Sequence, residues 1–203
     1  EIHDSAKLTL EEVIGLIREA EAAGKTTVRL HTGDPSIYGA VREQFEALDA
    51  LSIEYDVCPG VSAFCGAAAA LKAEYTLPEV AQSVIITRAA GRTPVPEGES
   101  LRELARHGAT MVLFLSTSLA EDVQRQLLEG GLMPQTPAAV VYKATWPDER
   151  VLRCTVGTLS ETIRDGGLTR TALILVGDFL NGLRARSKLY DPGFSTGYRE
   201  AAR

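Results

Sequence analysis

The pattern of hydrophobic and polar positions in the first 80 residues predicts alternating helices and strands. Residues 10–17 carry apolar side chains at the spacing of an amphipathic helix, and the preceding TLEE segment at 9–12 is typical of a capping box. The segments at 27–31 (TVRLH) and 53–57 (IEYDV) predict short strands, and each is followed by a turn and a helix, the second over 63–71. This order predicts parallel strands joined by crossover helices.

After a linker near residues 75–78 the rhythm changes. Five apolar runs predict strands at 83–87, 110–115, 138–142, 151–156 and 172–176, with 138–142 and 151–156 as an antiparallel pair. The predicted fold class is therefore α/β with two domains. We assign residues 1–78 to an N-terminal α/β domain with a mostly parallel sheet and 79–180 to a C-terminal α/β domain with a mixed sheet. Residues 181–203 form a polar tail.

Composition excludes some classes of function. The 203 residues carry a formal net charge of −6, which disfavours nucleic acid as a partner, and no apolar run approaches the roughly 18 residues of a membrane span. Three widely spaced cysteines do not form a disulfide framework, so we expect reduced thiols and a cytoplasmic protein. The three histidines share no ligand spacing, so no metal site is predicted.

Two loops follow the predicted strands of the first domain. In open α/β sheets, ligands lie beyond the carboxyl ends of strands, so these loops and those after residues 115 and 142 are candidates for binding. Residues 31–39 read HTGDPSIYG, in which Gly33 permits close backbone approach and Asp34 suits a helix N-cap. Residues 58–64 repeat the strand, turn and helix order. Each loop alone is equally typical of a well-capped helix start; together they are expected to line one crevice.

These residues resemble the tetrapyrrole methylases, which use S-adenosylmethionine. The resemblance rests on HTGDPSIYG at 31–39, PGVSA at 59–63, LPEVAQSVIITR at 77–88, GRTPVP at 91–96 and RSKLYDP at 186–192. The stretches at 77–88 and 91–96 resemble the branch that methylates C11 of precorrin-4 or cobalt-precorrin-4. The resemblance implies two α/β domains with the cofactor in the cleft between them, and a homodimer. The family normally opens with a strand and a Gly-Pro-rich loop that this sequence lacks, so we expect an incomplete first domain.

The resemblance also implies site residues. Carried over by motif, the cofactor-binding residues are Thr32, Gly33, Asp34, Ile37, Ser62, Ala63, Leu115, Ala144, Thr171 and Ala172. An acidic protein needs local positive charge to bind a polycarboxylate tetrapyrrole, so Arg88, Arg92 and Lys143 on the candidate loops are hypothetical anchors. Tyr38 is a candidate for lining the substrate trough. Ordinary solvated charges and core packing are the alternative interpretations of these four side chains.

Methyl transfer from a sulfonium to an electron-rich ring carbon needs positioning and exclusion of water, so no catalytic acid or base is assigned. Two alternatives stay open. The chain is another methylase of the same fold, acting on a different ring carbon, on uroporphyrinogen III or on a diphthamide precursor; or it is an inactive fragment of such an enzyme. A dehydrogenase is disfavoured because the dinucleotide-binding glycine pattern is absent.

Overall fold

The computed structural model describes residues 1–182 and 187–201, and it divides the chain into two compact units, Glu1–Ala63 and a second one from Phe64 onward. The first unit contains helices α1 (Leu10–Ala22) and α2 (Arg42–Ala50) and the start of α3 (Ala63–Leu71). The helices of the second unit are α4 (Leu101–Ala105), α5 (Ala120–Glu129) and α6 (Leu159–Asp165).

Helix α1 begins at the predicted capping box. The Thr9 amide donates to the Glu12 carboxylate at 2.7 Å, and the Glu12 amide donates to the Thr9 hydroxyl at 3.3 Å. Two helix donors that would otherwise lack partners are thereby satisfied. Val13 and Ile17, one turn apart on α1, are buried together with Leu48 of α2, and these three side chains form the small core of the first unit.

The prediction of strands at 27–31 and 53–57 is wrong for this structure. All of residues 1–63 are described, and neither segment is assigned as a strand. Both segments line an open groove of about 1580 Å³, and Val28 and Leu30 are 73% and 84% exposed. An apolar run becomes a strand only when a neighbouring strand supplies ladder hydrogen bonds, and these two segments do not pair with each other across the groove.

The second unit is built on a five-stranded mixed sheet, which confirms the predicted α/β class and the mixed sheet of the C-terminal half. Its strands are β1 (Val84–Arg88), β2 (Thr110–Phe114), β3 (Pro137–Tyr142), β4 (Arg150–Thr155) and β5 (Ala172–Val176). Their order is β1-β2-β5-β3-β4; β1 and β2 are parallel, and the other neighbours are antiparallel. The predicted antiparallel pairing of β3 with β4 is confirmed.

Helices cover both faces of this sheet. On β2, Met111 and Leu113 face the cluster formed with α4, α5 and α6, whereas Val112 faces the cluster formed with α3, Tyr75 and Phe179. This alternation follows from the period of two along a strand. Because both faces are covered, the strand runs are continuously apolar, which is why the sequence reveals them clearly.

The compact units divide at a different residue from the predicted domains. Helix α3 and the segment to Leu77 lie in the second unit, where Leu71, Tyr75 and Leu77 are buried. The domain boundary at residue 78 stays a prediction. Arg186, the first residue of the RSKLYDP motif, lies outside the described residues. Within the described ranges, no helix has both the length and the apolar character needed to cross a bilayer.

Candidate functional site

Four of the predicted cofactor residues lie where central strands of the sheet end. We call this end of the sheet, at the carboxyl ends of β2 and β3, the sheet edge. Strands β2 and β3 are both antiparallel to β5, so their carboxyl ends and the amino end of β5 lie at the same edge. The Thr117 hydroxyl donates to the Ala172 carbonyl at 3.2 Å, and the Lys143 amide donates to the Thr171 carbonyl at 2.9 Å. These bonds place the turn after β2 and the turn after β3 against the start of β5. The site residues at this edge are Leu115, Ala144, Thr171 and Ala172.

Left-handed backbone conformations concentrate at this edge. Leu115, Lys143 and Thr171 have φ values of +53°, +48° and +59°, and Thr145 follows at +70°. Such conformations cost non-glycine residues roughly 1–2 kcal/mol each, so they persist only where the surroundings impose them, often at functional sites. The turn at Leu115 leaves its side chain 68% exposed. The strain and the exposed leucine both indicate a binding surface.

Buried Ser116 connects this turn to the loop after β1. The Ala89 amide donates to the Ser116 hydroxyl at 2.8 Å, and that hydroxyl donates to the Phe114 carbonyl at 2.6 Å. Because β1 is parallel to β2, with Arg88 opposite Phe114, the loop that leaves β1 begins beside Leu115. Ser116 thus fixes the two neighbouring turns relative to each other.

The two arginines of this loop have different surroundings. The Arg88 guanidinium donates to the carbonyls of Ala89, Thr93 and Pro94 at 3.2, 3.1 and 2.6 Å. Arg92 is exposed, and no hydrogen bond or ion pair joins it to another residue of the described ranges. Both arginines are hypothetical anchors by sequence, but their surroundings in the structure differ.

Lys143 is engaged by its own loop. Its ammonium lies 2.5 Å from the Asp148 carboxylate and about 5 Å from the ring centroids of Tyr142 and Trp146 (5.2 and 5.1 Å). The hydrogen bond to Asp148 raises the pKa of Lys143 above its ordinary value and lowers the pKa of Asp148. The role of Lys143 as a substrate anchor stays a prediction, and an incoming carboxylate would have to compete with Asp148.

In the first unit, Asp34 joins the two predicted loops. Its carboxylate accepts hydrogen bonds from the Ser36 amide at 2.9 Å, from the Ser36 hydroxyl, and from the Gly60 amide at 2.8 Å. The hydrogen bond from the Ser36 hydroxyl, followed by those from the two amides, lowers the pKa of Asp34 below 3.8. A Cβ on Gly60 would lie only 2.0 Å from the Gly33 carbonyl oxygen, so the two backbones touch here.

The expected helix start at Asp34 is wrong. Helix α2 begins at Arg42, because Tyr38 and Ala40 adopt φ values of +56° and +48° and interrupt the chain before it. Asp34 therefore links two loops instead of capping α2. Sequence reasoning missed the link to Gly60, since no local pattern identifies a hydrogen bond across 26 residues.

The remaining predicted residues of the first unit lie around this contact. A Cβ on Gly33 would lie 3.4 Å from the Ser62 Cα and 3.3 Å from the Ala63 amide nitrogen, so the loops meet as expected. Ser62 is buried, and Ile37 is half-buried. Thr32, Ala63 and Tyr38 are exposed. The six cofactor residues predicted in this unit thus belong to one pair of touching loops.

Leu115, Ala144 and Ala172 differ in their exposure at the sheet edge. Leu115 is 68% exposed and offers an apolar surface, whereas Ala172 is buried in the cluster with α4, α5 and α6, and Ala144 packs against the cluster with α3. Ala144 lies close to Gly66 of α3, since a Cβ on Gly66 would lie 3.4 Å from the Ala144 Cβ.

Over the described part of the chain, no group of three or more His, Cys, Asp or Glu side chains has metal-binding geometry.

Comparison with known proteins gives a family match. Residues 1–160 match the family model described as Tetrapyrrole (Corrin/Porphyrin) Methylases. The cobalt-precorrin-4 C(11)-methyltransferase of Methanocaldococcus jannaschii is 50% identical over 202 residues, which cover 99% of this chain and 78% of that relative. The precorrin-4 C(11)-methyltransferase of Mycobacterium tuberculosis is 49% identical over 180 residues, which cover 88% of this chain and 72% of that relative.

Solved structures agree with this match. The X-ray structure of CbiF, a cobalt precorrin-4 methyltransferase, superimposes with a TM-score of 0.87 at 45% identity, covering 89% of this chain and 75% of CbiF. The uroporphyrin-III C-methyltransferase of Thermus thermophilus, bound to S-adenosylhomocysteine, superimposes with a TM-score of 0.70 at 24% identity, covering 84% of this chain and 74% of that one. At that identity, the second likeness supports the fold alone.

Proposed function

Because the chain belongs to the tetrapyrrole methylase family, we propose that it transfers a methyl group from S-adenosylmethionine to C11 of precorrin-4 or cobalt-precorrin-4. It is a methyltransferase of cobalamin biosynthesis. The observation that carries the specific reaction is the high identity, over nearly the whole chain, to C11-methyltransferases. Relatives of both the cobalt and the cobalt-free type are similar to it, so both substrates are tested below.

The cofactor's adenosine is assigned to Leu115, Ala144, Thr171 and Ala172. When bound, S-adenosylmethionine supplies a methyl group already activated by its sulfonium charge. The strained turns fix the apolar surface before the ligand arrives, which lowers the entropic cost of binding. In the first unit, the resemblance assigns further contacts to Thr32, Gly33, Asp34, Ile37, Ser62 and Ala63, and the Asp34 hydrogen bonds keep that pair of loops in one conformation.

The contribution of the protein to the reaction is positioning. No side chain of the sheet edge combines with a second one as a nucleophile and base. The ammonium of Lys143 is neutralised by Asp148, and Arg88 is occupied by backbone carbonyls. Rigid turns that hold two reactants in line convert an encounter in solution into a reaction within one complex, and the exclusion of water protects the sulfonium.

The cellular setting follows from the same proposal. A tetrapyrrole precursor is the expected partner, with a homodimer as the assembly and the cytoplasm as the location. Size-exclusion chromatography with light scattering tests the dimer, whose expected mass is twice the 21.8 kDa of the chain. An elution at the monomer mass over the whole concentration range would contradict this part.

The decisive experiment supplies enzymatically prepared precorrin-4 and cobalt-precorrin-4, in separate reactions, with methyl-labelled S-adenosylmethionine. We expect label in one of the two tetrapyrroles, at C11 by ¹³C NMR, and saturable S-adenosylhomocysteine binding by calorimetry. Uroporphyrinogen III and a diphthamide precursor are the parallel substrates, and label in either of them instead would replace the proposal with another methylase activity. If the protein binds S-adenosylhomocysteine but methylates none of these substrates, only cofactor binding is supported. If it shows neither binding nor methyl transfer, the inactive-fragment alternative is supported.

A further inference from the structure

We propose that the loop at residues 89–96 binds a carboxylate of the tetrapyrrole through Arg92, and that Arg88 is a positioning residue that folds this loop. The inference rests on the proposed function, because it names the substrate's carboxylates as the ligand. Arg88 and Arg92 thus have separate roles, one in folding the loop and one in binding the carboxylate.

The first step is that Arg88 is occupied. Its guanidinium donates to the carbonyls of Ala89, Thr93 and Pro94, all of which follow it in the chain, so residues 89–94 curl around it. Thr93 also accepts a hydrogen bond from the Gly91 amide at 3.2 Å, which closes a tight turn. A planar guanidinium has five donors in a fixed fork, and this fork suits several carbonyls at once in a way that the single ammonium of a lysine does not.

The second step is that the loop is held in place at other points. Its first amide, on Ala89, is bonded to buried Ser116. Gly91 packs closely against Leu119, the residue just before α5, since a Cβ on Gly91 would lie 3.2 Å from the Leu119 Cδ1. With these contacts and the Arg88 fork, the backbone of the loop is defined independently of any ligand. A group carried by this loop is therefore presented in one place.

The third step is that Arg92 is the group presented. It lies within the tight turn between Gly91 and Thr93 and is exposed, and its charge has no carboxylate partner among the described residues. Arg106, by contrast, lies near the opposite edge of the sheet and forms an ion pair with Glu103. The loop that carries Arg92 starts beside the turn that carries Leu115, so it leaves the sheet at the edge to which we assign adenosine.

The chemistry of the ligand completes the inference. A precorrin carries several acetate and propionate side chains, and a guanidinium binds a carboxylate through two parallel hydrogen bonds. The protein has a net charge of −6, so long-range attraction does not supply this binding, and a fixed local cation is needed. Arg92 on a prefolded loop supplies one at a defined position.

The test compares Arg92→Gln, Arg92→Lys, Arg88→Lys and the control Arg106→Gln, which removes one charge at the other edge. For Arg92→Gln we expect about a tenfold rise in the KM for the tetrapyrrole, as for the loss of one charge-assisted bond, with kcat within about twofold. Arg92→Lys keeps the charge and is expected to recover most of the affinity. Arg88→Lys also keeps its charge but loses the fork, so its KM is expected to rise as for Arg92→Gln.

A second readout uses binding without turnover. Quenching of uroporphyrin III fluorescence reports the affinity of each variant for a polycarboxylate tetrapyrrole, and calorimetry with S-adenosylhomocysteine reports the cofactor site. The double variant Arg88→Lys/Arg92→Gln is expected to be no weaker than either single one, since both act through one contact. S-adenosylhomocysteine affinity and Arg106→Gln are expected to match the wild type.

Unchanged tetrapyrrole affinity in Arg92→Gln overturns the inference. Because Arg92 is exposed, this substitution is expected to leave the folding of the protein intact. Wild-type affinity in Arg88→Lys would make Arg88 a direct anchor instead of a positioning residue. Failure of the proposed function has a different signature: the wild-type protein would then transfer no methyl group to precorrin-4 or cobalt-precorrin-4, whatever the variants do to uroporphyrin III binding.

Discussion

Ser116→Ala is the sharpest test of the link between the two turns at the sheet edge. The Ser116 side chain is fully buried, and Ala89, whose amide it accepts, is 2% exposed. Removing the hydroxyl leaves the Ala89 amide buried without its acceptor and the Phe114 carbonyl without that donor. A buried group that loses its partner costs about 1–3 kcal/mol, because it gave up water on folding and gains nothing in return.

That cost translates into a measurable change in thermal stability. A protein of 203 residues shifts its Tm by about 2–4 °C per kcal/mol, so the expected decrease is about 2–12 °C. Circular dichroism during heating and urea titration measure it, and Ser118→Ala, an exposed serine two residues away, is the matched control. Since the same hydroxyl fixes the turn that carries Leu115, the affinity for S-adenosylhomocysteine is expected to fall as well. A Ser116→Ala protein as stable as the Ser118→Ala control would refute the reasoning.

Three further predictions concern the candidate cofactor residues Leu115 and Asp34, and Gly60, whose amide Asp34 accepts. Leu115→Ala removes an exposed apolar side chain whose burial under a ligand is worth about 1.5–3 kcal/mol, so S-adenosylhomocysteine binding should weaken by about tenfold or more in calorimetry; Met133→Ala, at another exposed apolar position, should leave it unchanged. Gly60→Ala places a Cβ 2.0 Å from a carbonyl oxygen and should lower both stability and cofactor affinity; wild-type values for both would contradict the loop contact. The pKa of Asp34 is lowered in the folded protein, so its stabilising contribution is present above pH 3.8 and is lost as the pH falls through the lowered value; urea titrations below pH 4 should show a smaller acid-induced loss for Asp34→Asn, and equal losses would contradict it.

The sequence was most informative where burial alone decides the structure. The run at 172–176 became β5 with the predicted bounds, because a strand covered on both faces is continuously apolar. The segment at 27–31 (TVRLH), in which apolar and polar residues alternate, also reads as a strand, yet it is mostly exposed and pairs with no other strand. A strand is defined by its neighbour as much as by its own residues, and the apolar pattern contains no information about whether the neighbour is present.

The site shows the same limit at finer scale. The motifs located the loops, but Leu115 and Thr171 are left-handed without being glycine, so no residue type announces their conformation. Arg88 and Arg92 are both arginines in one predicted loop. What separates them is that carbonyls one, five and six residues after Arg88 turn toward its guanidinium. Backbone acceptors are the same at every position, so a sequence pattern does not predict which side chain they will engage.

The mixed topology gives this edge a property that a purely parallel sheet lacks. In a parallel sheet, every strand presents its carboxyl end on one side. Here β5 runs against β2 and β3, so an amino end at Ala172 lies between two carboxyl ends. The left-handed residues Leu115, Lys143 and Thr171 then turn the chain sharply at all three ends, and the amide of Lys143 reaches the Thr171 carbonyl across the gap. Three neighbouring strand ends are therefore turned and tied together beside an exposed leucine. This arrangement supports our proposal that the adenosine binds here, because rigid turns beside an exposed apolar side chain can hold a flat ring without any charged side chain.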